Sequence, residues 1–174
     1  EIAYLRHPYR AKTMQQMMRT AGYLVNMVSN YLDLARLDSG EMKFKPEADV
    51  PFLVDVLRFA LDTVEIRAEQ RGSHFRLEVP DQEILVHGDV DLLRIVAVNL
   101  LDNAVKYGHE GIAVTVRVQL EADRLVLTVR NPGVGFTPEE AKGLFKRFSR
   151  LRQKGLEDRR GSGLGLYLTW WIVE

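Results

Sequence analysis

Between residues 10 and 37 the chain has no proline and a single glycine, and apolar or small residues return at Met14, Met18, Ala21, Val25, Val28, Leu32 and Ala35. The alternating steps of four and three are a heptad seam, widened by Met17, Leu24 and Tyr31. They predict a helix of about 28 residues, roughly 42 Å long at 1.5 Å per residue. A helix cannot bury such a stripe alone. It requires partner helices, from chain upstream, from a second copy or from both; the alternative is a core helix of one globular domain, which the length and the strict seam fit less well.

The run Asp38-Ser39-Gly40-Glu41 stops that helix, and Met42-Lys43-Phe44-Lys45-Pro46 alternates like a short edge strand, which puts a domain boundary near residue 40. Leu53, Val56, Leu57, Ala60, Leu61 and Val64 then recur at helical spacing, predicting a second helix over residues 50–71 that Gly72 ends. Residues 75–79 and 84–86 read as strands, and Asp89 is a good N-cap for a helix that follows. Ile112, Val114, Val116 and Val118, then Leu125, Leu127 and Val129, predict two strands joined by a polar turn at Ala122-Asp123. Two glycine-rich stretches, NPGVGF and GSGLGL, come next, separated by about 25 residues dense in Lys and Arg, and a last helix begins at Gly165.

Composition narrows the class. Of 174 residues, 46% are hydrophobic and 28% charged, as in a soluble globular protein, which sets aside disorder and collagen-like repeats. Lys+Arg and Asp+Glu both number 24, so no basic excess points to nucleic acid or a membrane surface. With no cysteine, disulfides, thiolate metal sites and thiol catalysis are excluded. No apolar run approaches the roughly 20 residues that span a bilayer, and EIAYLRHPYR does not resemble a signal peptide. The start without Met and the end inside TWWIVE read as a fragment, expected in the cytoplasm, whose parent can still be membrane-anchored.

Chemistry concentrates in NLLDNAVKYG. On a helix Asn99, Asn103 and Lys106 share one narrow stripe with Asp102 beside it, while Leu93, Ala97, Leu100, Leu101 and Ala104 take the opposite arc. Asparagine is a poor interior helix residue, and a buried amide without partners costs roughly 1–3 kcal/mol. Two amide oxygens and an ammonium suit a magnesium ion carrying phosphates, although an internal polar network would satisfy the same groups. The glycines of NPGVGF permit close ligand approach, and GSGLGL opens a helix, where unpaired amides and the helix dipole favour a phosphate. Leu166 stands where a dinucleotide fingerprint needs its third glycine, and there is no GxxxxGK[ST] loop. Between them Lys142, Lys146, Arg147, Arg150, Arg152, Lys154, Arg159 and Arg160, with Phe145 and Phe148 as apolar anchors, fit either a lid over polyphosphate or an ordinary solvated helix and loop.

In this order NLLDNAVKYG, NPGVGF, LFKRFSRL and GSGLGL resemble the N, G1, F and G2 boxes of the sensor histidine kinase ATP-binding domain, within the GHKL superfamily that includes gyrase and MutL. The likeness runs from about residue 38 to the end, and the heptad helix with its RLDSGE ending resembles the second helix of the family's dimerisation hairpin. The fold implied is α+β, a two-layer α/β sandwich of the GHKL ATPase type, a mixed sheet covered by helices on one face and preceded by the long helix. Residues 1–40 would be a partial hairpin and 41–174 the catalytic domain without its closing strands.

By this resemblance Asn103 would coordinate Mg2+, Asn99 would support metal and phosphates, Lys106 would reach a phosphate and Tyr107 would pack near the nucleotide. Gly133 and Gly135 would shape the adenine pocket with Asn131. Gly161, Gly163, Leu164, Gly165 and Leu166 would bring the lid's end to the phosphates, Phe145 and Phe148 would anchor the lid, and Arg150 would contact the γ-phosphate. ATP is the expected substrate, a response regulator receiver domain the expected downstream partner, and a homodimer through the hairpin the expected assembly, with no nucleic acid and no membrane contact by this segment. Hydrolytic GHKL relatives place a water-activating glutamate where this chain has Asn99, which cannot act as a base, so the resemblance favours phosphoryl delivery over hydrolysis. His7, in HPYRAK, lacks the acidic neighbour and later proline of the family's phosphoacceptor box. The usual G1 aspartate is here Asn131, an amide that can turn over to suit guanine. Asn131→Asp is therefore expected to sharpen selection of ATP over GTP in competition binding; equal discrimination by the two proteins would refute it.

Overall fold

The structure, a computed structural model, describes residues 8–150 and 161–174. His7 and the basic residues Arg152, Lys154, Arg159 and Arg160 lie outside the described residues. The heptad seam forms α1, Pro8–Asp38. Its described stripe residues face outward, with Met17, Met18 and Val25 each about two-thirds exposed, while Leu34 near its end is buried. The helix closes where Glu41 N and Met42 N both donate to Arg36 O, at 2.8 and 3.0 Å.

That closure explains why residues 42–46 are not the edge strand their alternation predicts. Glu41 and Met42 turn back onto the helix, and Lys45 N donates to the Asp89 carboxylate at 2.9 Å instead of to a strand neighbour. The strand comes later, as β1, Glu47–Pro51, antiparallel to β3, Leu85–Gly88. The second helix therefore starts after Pro51, not at residue 50. Its opening, Phe52–Arg58, is π-helical and runs into α2, Phe59–Gln70. Pro51 offers no capping side chain, and Glu83, two residues before β3, takes that role, accepting from Leu53 N at 2.7 Å and Val54 N at 3.0 Å.

The three-stranded sheet has the order β2-β4-β5 and is mixed: β2, Phe75–Glu78, runs parallel to β4, Val114–Glu121, and β5, Arg124–Arg130, runs antiparallel to β4. β4 starts at Val114, two residues after the expected Ile112. Its Val114, Val116 and Val118 are buried in the layer where Phe52, Val56, Ala60 and Val64 meet Ala97, Leu101, Ala104 and Val105.

Those last four belong to α3, Val90–Tyr107, which lies between α2 and α5, Gly165–Val173. Leu93 and Leu100, expected on its buried arc, are only half-buried, and Leu92, Val96 and Val105 take the inner positions. Leu164 and Leu168 fix α5 from below, each almost wholly buried, a contribution of roughly 1.5–3 kcal/mol apiece. No helix among the described residues is long and apolar enough to cross a membrane.

Asp89 caps α3 as its sequence position predicts. Its Oδ1 accepts from Asp91 N and Leu92 N, both at 3.1 Å, and its Oδ2 takes Lys45 N. Asp89→Ala removes all three bonds at a buried site and should lower unfolding free energy by about 1–2 kcal/mol. A urea midpoint that falls with no change in slope is the expected reading.

Candidate functional site

With the apolar face of α3 in the core, Asn99, Asn103 and Lys106 emerge together, each partly covered. What covers two of them is the stretch 161–165. Asn99 Nδ2 donates to Gly165 O at 3.2 Å, and a methyl group on Gly161 would collide with Lys106 Nζ and stand 3.9 Å from the Tyr107 hydroxyl. Gly163 has φ +74°, and a side chain there would meet Phe148 and Ser149 backbone atoms at 2.7–3.0 Å, so glycine is required on both counts. The glycine-rich stretch thus lies across the polar stripe of α3 and against residues 148–149.

Lys106 titrates below the ordinary lysine range, first because burial strips water from the ammonium. The neighbouring tyrosine partly opposes this, its ring centroid 4.8 Å from Nζ, while the positive charges of Arg150 and Arg67 push in the same direction as burial. An ammonium held this way gains from a nearby anion. Arg67 itself is ion-paired with Asp102, the carboxylate beside the stripe.

On the other side of α3's end, Gly108 forms an antiparallel bridge with Gly133, and His109 N donates to Pro132 O at 2.9 Å. The Asn131 amide nitrogen sits against both glycines: side chains added at Gly108 and Gly133 would be 3.6 and 3.2 Å from it. Gly135, with φ +71°, has open space around it. Thr137 then closes a reciprocal capping box with Glu140 at the start of the short α4, Pro138–Ala141.

The expected site residues therefore fall into groups. Asn99, Lys106, Tyr107, Gly161 and Gly165 are brought together, with Asn103 on the same face and Arg150 near enough to influence Lys106. Asn131 and Gly133 gather at Gly108. Leu164 is buried beneath the loop with its side chain in the packing, and Leu166 is half-buried. Phe145 and Phe148 are about half or more exposed, so their rings are not held as interior anchors in this conformation.

Arg147, expected only as one cation of the basic stretch, forks onto the Asp38 carboxylate at 2.6 and 2.9 Å and also donates to the Tyr167 hydroxyl at 2.8 Å. Asn30 reaches Ser162 at 3.2 Å, so α1 touches the glycine-rich stretch at one point and Arg147 at another. No local pattern announces either bond.

A helix stripe of amides and lysine, with glycine turns closing on it from both sides, is the arrangement expected for a GHKL nucleotide site. Residues 88–174 match the family described as histidine kinase-, DNA gyrase B-, and HSP90-like ATPase. The chain belongs to this family.

Relatives of this histidine kinase-like ATPase domain include sensor histidine kinases. The sensor histidine kinase CusS of Escherichia coli O6:H1 is 37% identical over 150 residues, covering 86% of this chain and 30% of CusS. The mycobacterial sensor histidine kinase MprB superposes with a TM-score of 0.59 at 28% identity, over 75% of this chain and 78% of that one. Full-length ShkA, solved with AMPPNP, superposes with a TM-score of 0.72 over 95% of this chain and 34% of its own, at 21% identity, a likeness of fold. The chain spans 30% or less of the length of the first curated relatives it matches.

The Lys106 environment sets a pH dependence. An anion bound against this amine would favour its protonated form, so affinity for that anion would be full below the lowered pKa of the free domain and would decline as pH rises through it. Titrations of nucleotide affinity against pH should show that decline starting below the ordinary lysine range, and Lys106→Arg should abolish it.

Proposed function

We propose that this chain is the ATP-binding catalytic part of a sensor histidine kinase, transferring the γ-phosphoryl of MgATP to a histidine outside it for relay to a response regulator aspartate. The observation that carries the reading is the closure of residues 161–165 over the Asn99 amide and a desolvated ammonium, on a helix face that also carries Asn103 and has no carboxylate at position 99. Such a donor set fits a magnesium–triphosphate: amide oxygens are hard ligands, and the ammonium meets a phosphate without adding negative charge.

Each residue has a part in this reading. Asn103 holds the metal through its amide oxygen, and Asn99 supports metal and phosphates while its nitrogen ties the loop. Lys106 and Arg150 meet phosphate oxygens, Tyr107 packs near the nucleotide, and Asn131, Gly133 and Gly135 form the base side. Gly161, Gly163 and Gly165 let backbone approach the phosphates, with Leu164 and Leu166 seating the loop and Phe145 and Phe148 serving as the lid's apolar anchors. Magnesium, when present, neutralises charge on the transferring group. The bond from the bridging oxygen to the γ-phosphorus breaks, one from the imidazole nitrogen forms, ADP leaves and the imidazole proton passes to solvent. With Asn99 in place of a basic carboxylate, water is not activated and hydrolysis stays slow.

Residues 1–40 then serve as part of a dimerising hairpin and 41–174 as the ATP-binding domain, in the cytoplasm, with the parent protein free to be membrane-anchored. A second reading, a degenerate kinase whose nucleotide state alters helix pairing without transfer, draws on Asn131 and on the missing phosphoacceptor motif in this segment. The two separate on γ-labelled ATP with the intact protein. Acid-labile protein-bound label, reduced at least about tenfold by Asn103→Ala, is the expected result. Nucleotide binding without label would establish the second reading instead.

A further inference from the structure

Arg71 lies outside every motif that marks the site, yet it is joined to the site's base side. It ends α2, where its N–H donates to Ala68 O at 3.0 Å and its own carbonyl accepts from Gly111 N at 3.0 Å. The side chain, 16% exposed, reaches across to residues 108–110: Nη2 donates to Gly108 O at 3.1 Å and Nη1 faces the Glu110 carboxylate at 3.3 Å. From the opposite side the same short segment is held by Gly133, through the bridge at Gly108, and by Pro132 O, through His109 N. Gly108 is also the C-cap of α3, two residues beyond Lys106. One guanidinium therefore braces the strip of backbone on which the Asn131 amide rests.

A purely structural end to α2 needs no such arrangement. An arginine at a helix C-terminus gains from the dipole while still in water. Here the guanidinium is largely withdrawn from solvent, with Nε buried and lacking a hydrogen-bond partner among the described residues. A buried donor left unpaired is a cost that a fold seeking stability alone avoids. The geometry it maintains is the close approach of Gly108, Gly133 and Asn131, where an added methyl group on Gly133 would come 2.6 Å from Tyr107 O.

We propose that Arg71 is a positioning residue for base recognition: by bridging Gly108 O and Glu110 it fixes the wall from which Asn131 addresses the nucleobase. This rests on the nucleotide reading of the site given above. It acts on the base side and leaves the phosphate stripe of α3 alone, so its loss alters base discrimination more than phosphate binding.

The test is titration of the intact protein with ADP and with GDP, alongside thermal melting, for wild type, Arg71→Gln and Arg71→Lys. Lysine keeps the charge and length but lacks the planar fork that serves two acceptors. Arg71→Gln should weaken ADP binding by about tenfold and GDP binding by less, narrowing the ratio between them. Arg71→Lys should narrow it in part, at a melting temperature close to wild type; it carries the test alone if Arg71→Gln does not fold. Equal losses for ADP and GDP, tracking the melting temperature, would reduce Arg71 to a structural residue and overturn the proposal, as would unchanged affinities. A wild type that binds neither nucleotide overturns the functional reading and this inference together. ADP bound normally by wild type, and equally well by both variants, overturns the inference only.

Discussion

The rotational phase of α3 governs the rest of the structure. One helix must bury Leu92, Val96, Ala97, Leu101, Ala104 and Val105 while turning Asn99, Asn103 and Lys106 outward. Moving its start by a single residue turns every side chain by about 100° and exchanges amides for leucines in the core. Asp89 sets that start, and because its second oxygen holds Lys45 N, the same carboxylate also fixes where the chain leaves α1's turn to enter β1. Core packing and the site's polar stripe are thus one constraint viewed from two sides of a helix.

Around that helix the glycine-rich stretch is held from two directions. Leu164 and Leu168 sink into the core, which fixes the loop's root by burial, and Asn99 ties Gly165 from above. The root is rigid for the ordinary reason that apolar area is out of water. The α3 stripe covered by the loop carries the opposite condition, a lysine short of solvation with positive neighbours. Stability invested below supports electrostatic discomfort above, which an anion would relieve.

The parts legible in the sequence are those written with a period or a fixed offset. α1 and α3 follow from spacing, Asp89 from its position before an apolar run, and the β4–β5 hairpin from alternation around Ala122, whose φ of +56° confirms the turn. The glycines at 161, 163 and 165 were legible because their lack of a side chain is itself the signal. What escaped was set by contacts distant in the chain. Residues 42–46 alternate, but their backbone groups are claimed by Arg36 and Asp89. The helix after Pro51 takes its cap from Glu83, roughly thirty residues on. Leu93 and Leu100 lose the deepest positions because the arc of α3 facing its neighbours is decided by packing, which periodicity locates only to within a residue. Arg71 and Arg147 were two cations among many, since nothing local distinguishes a guanidinium that finds a distant acceptor from one that points into water.

Arg147 joins three regions through one side chain: the end of α1 at Asp38, its own position after Phe145, and α5 at Tyr167. Both members of the ion pair are nearly half exposed, so water and salt compete with it on nearly equal terms. A joint of that kind differs in character from the buried leucines under the loop. It ties the end of the long helix to α5 through one guanidinium, and added salt weakens it while leaving the buried leucines untouched.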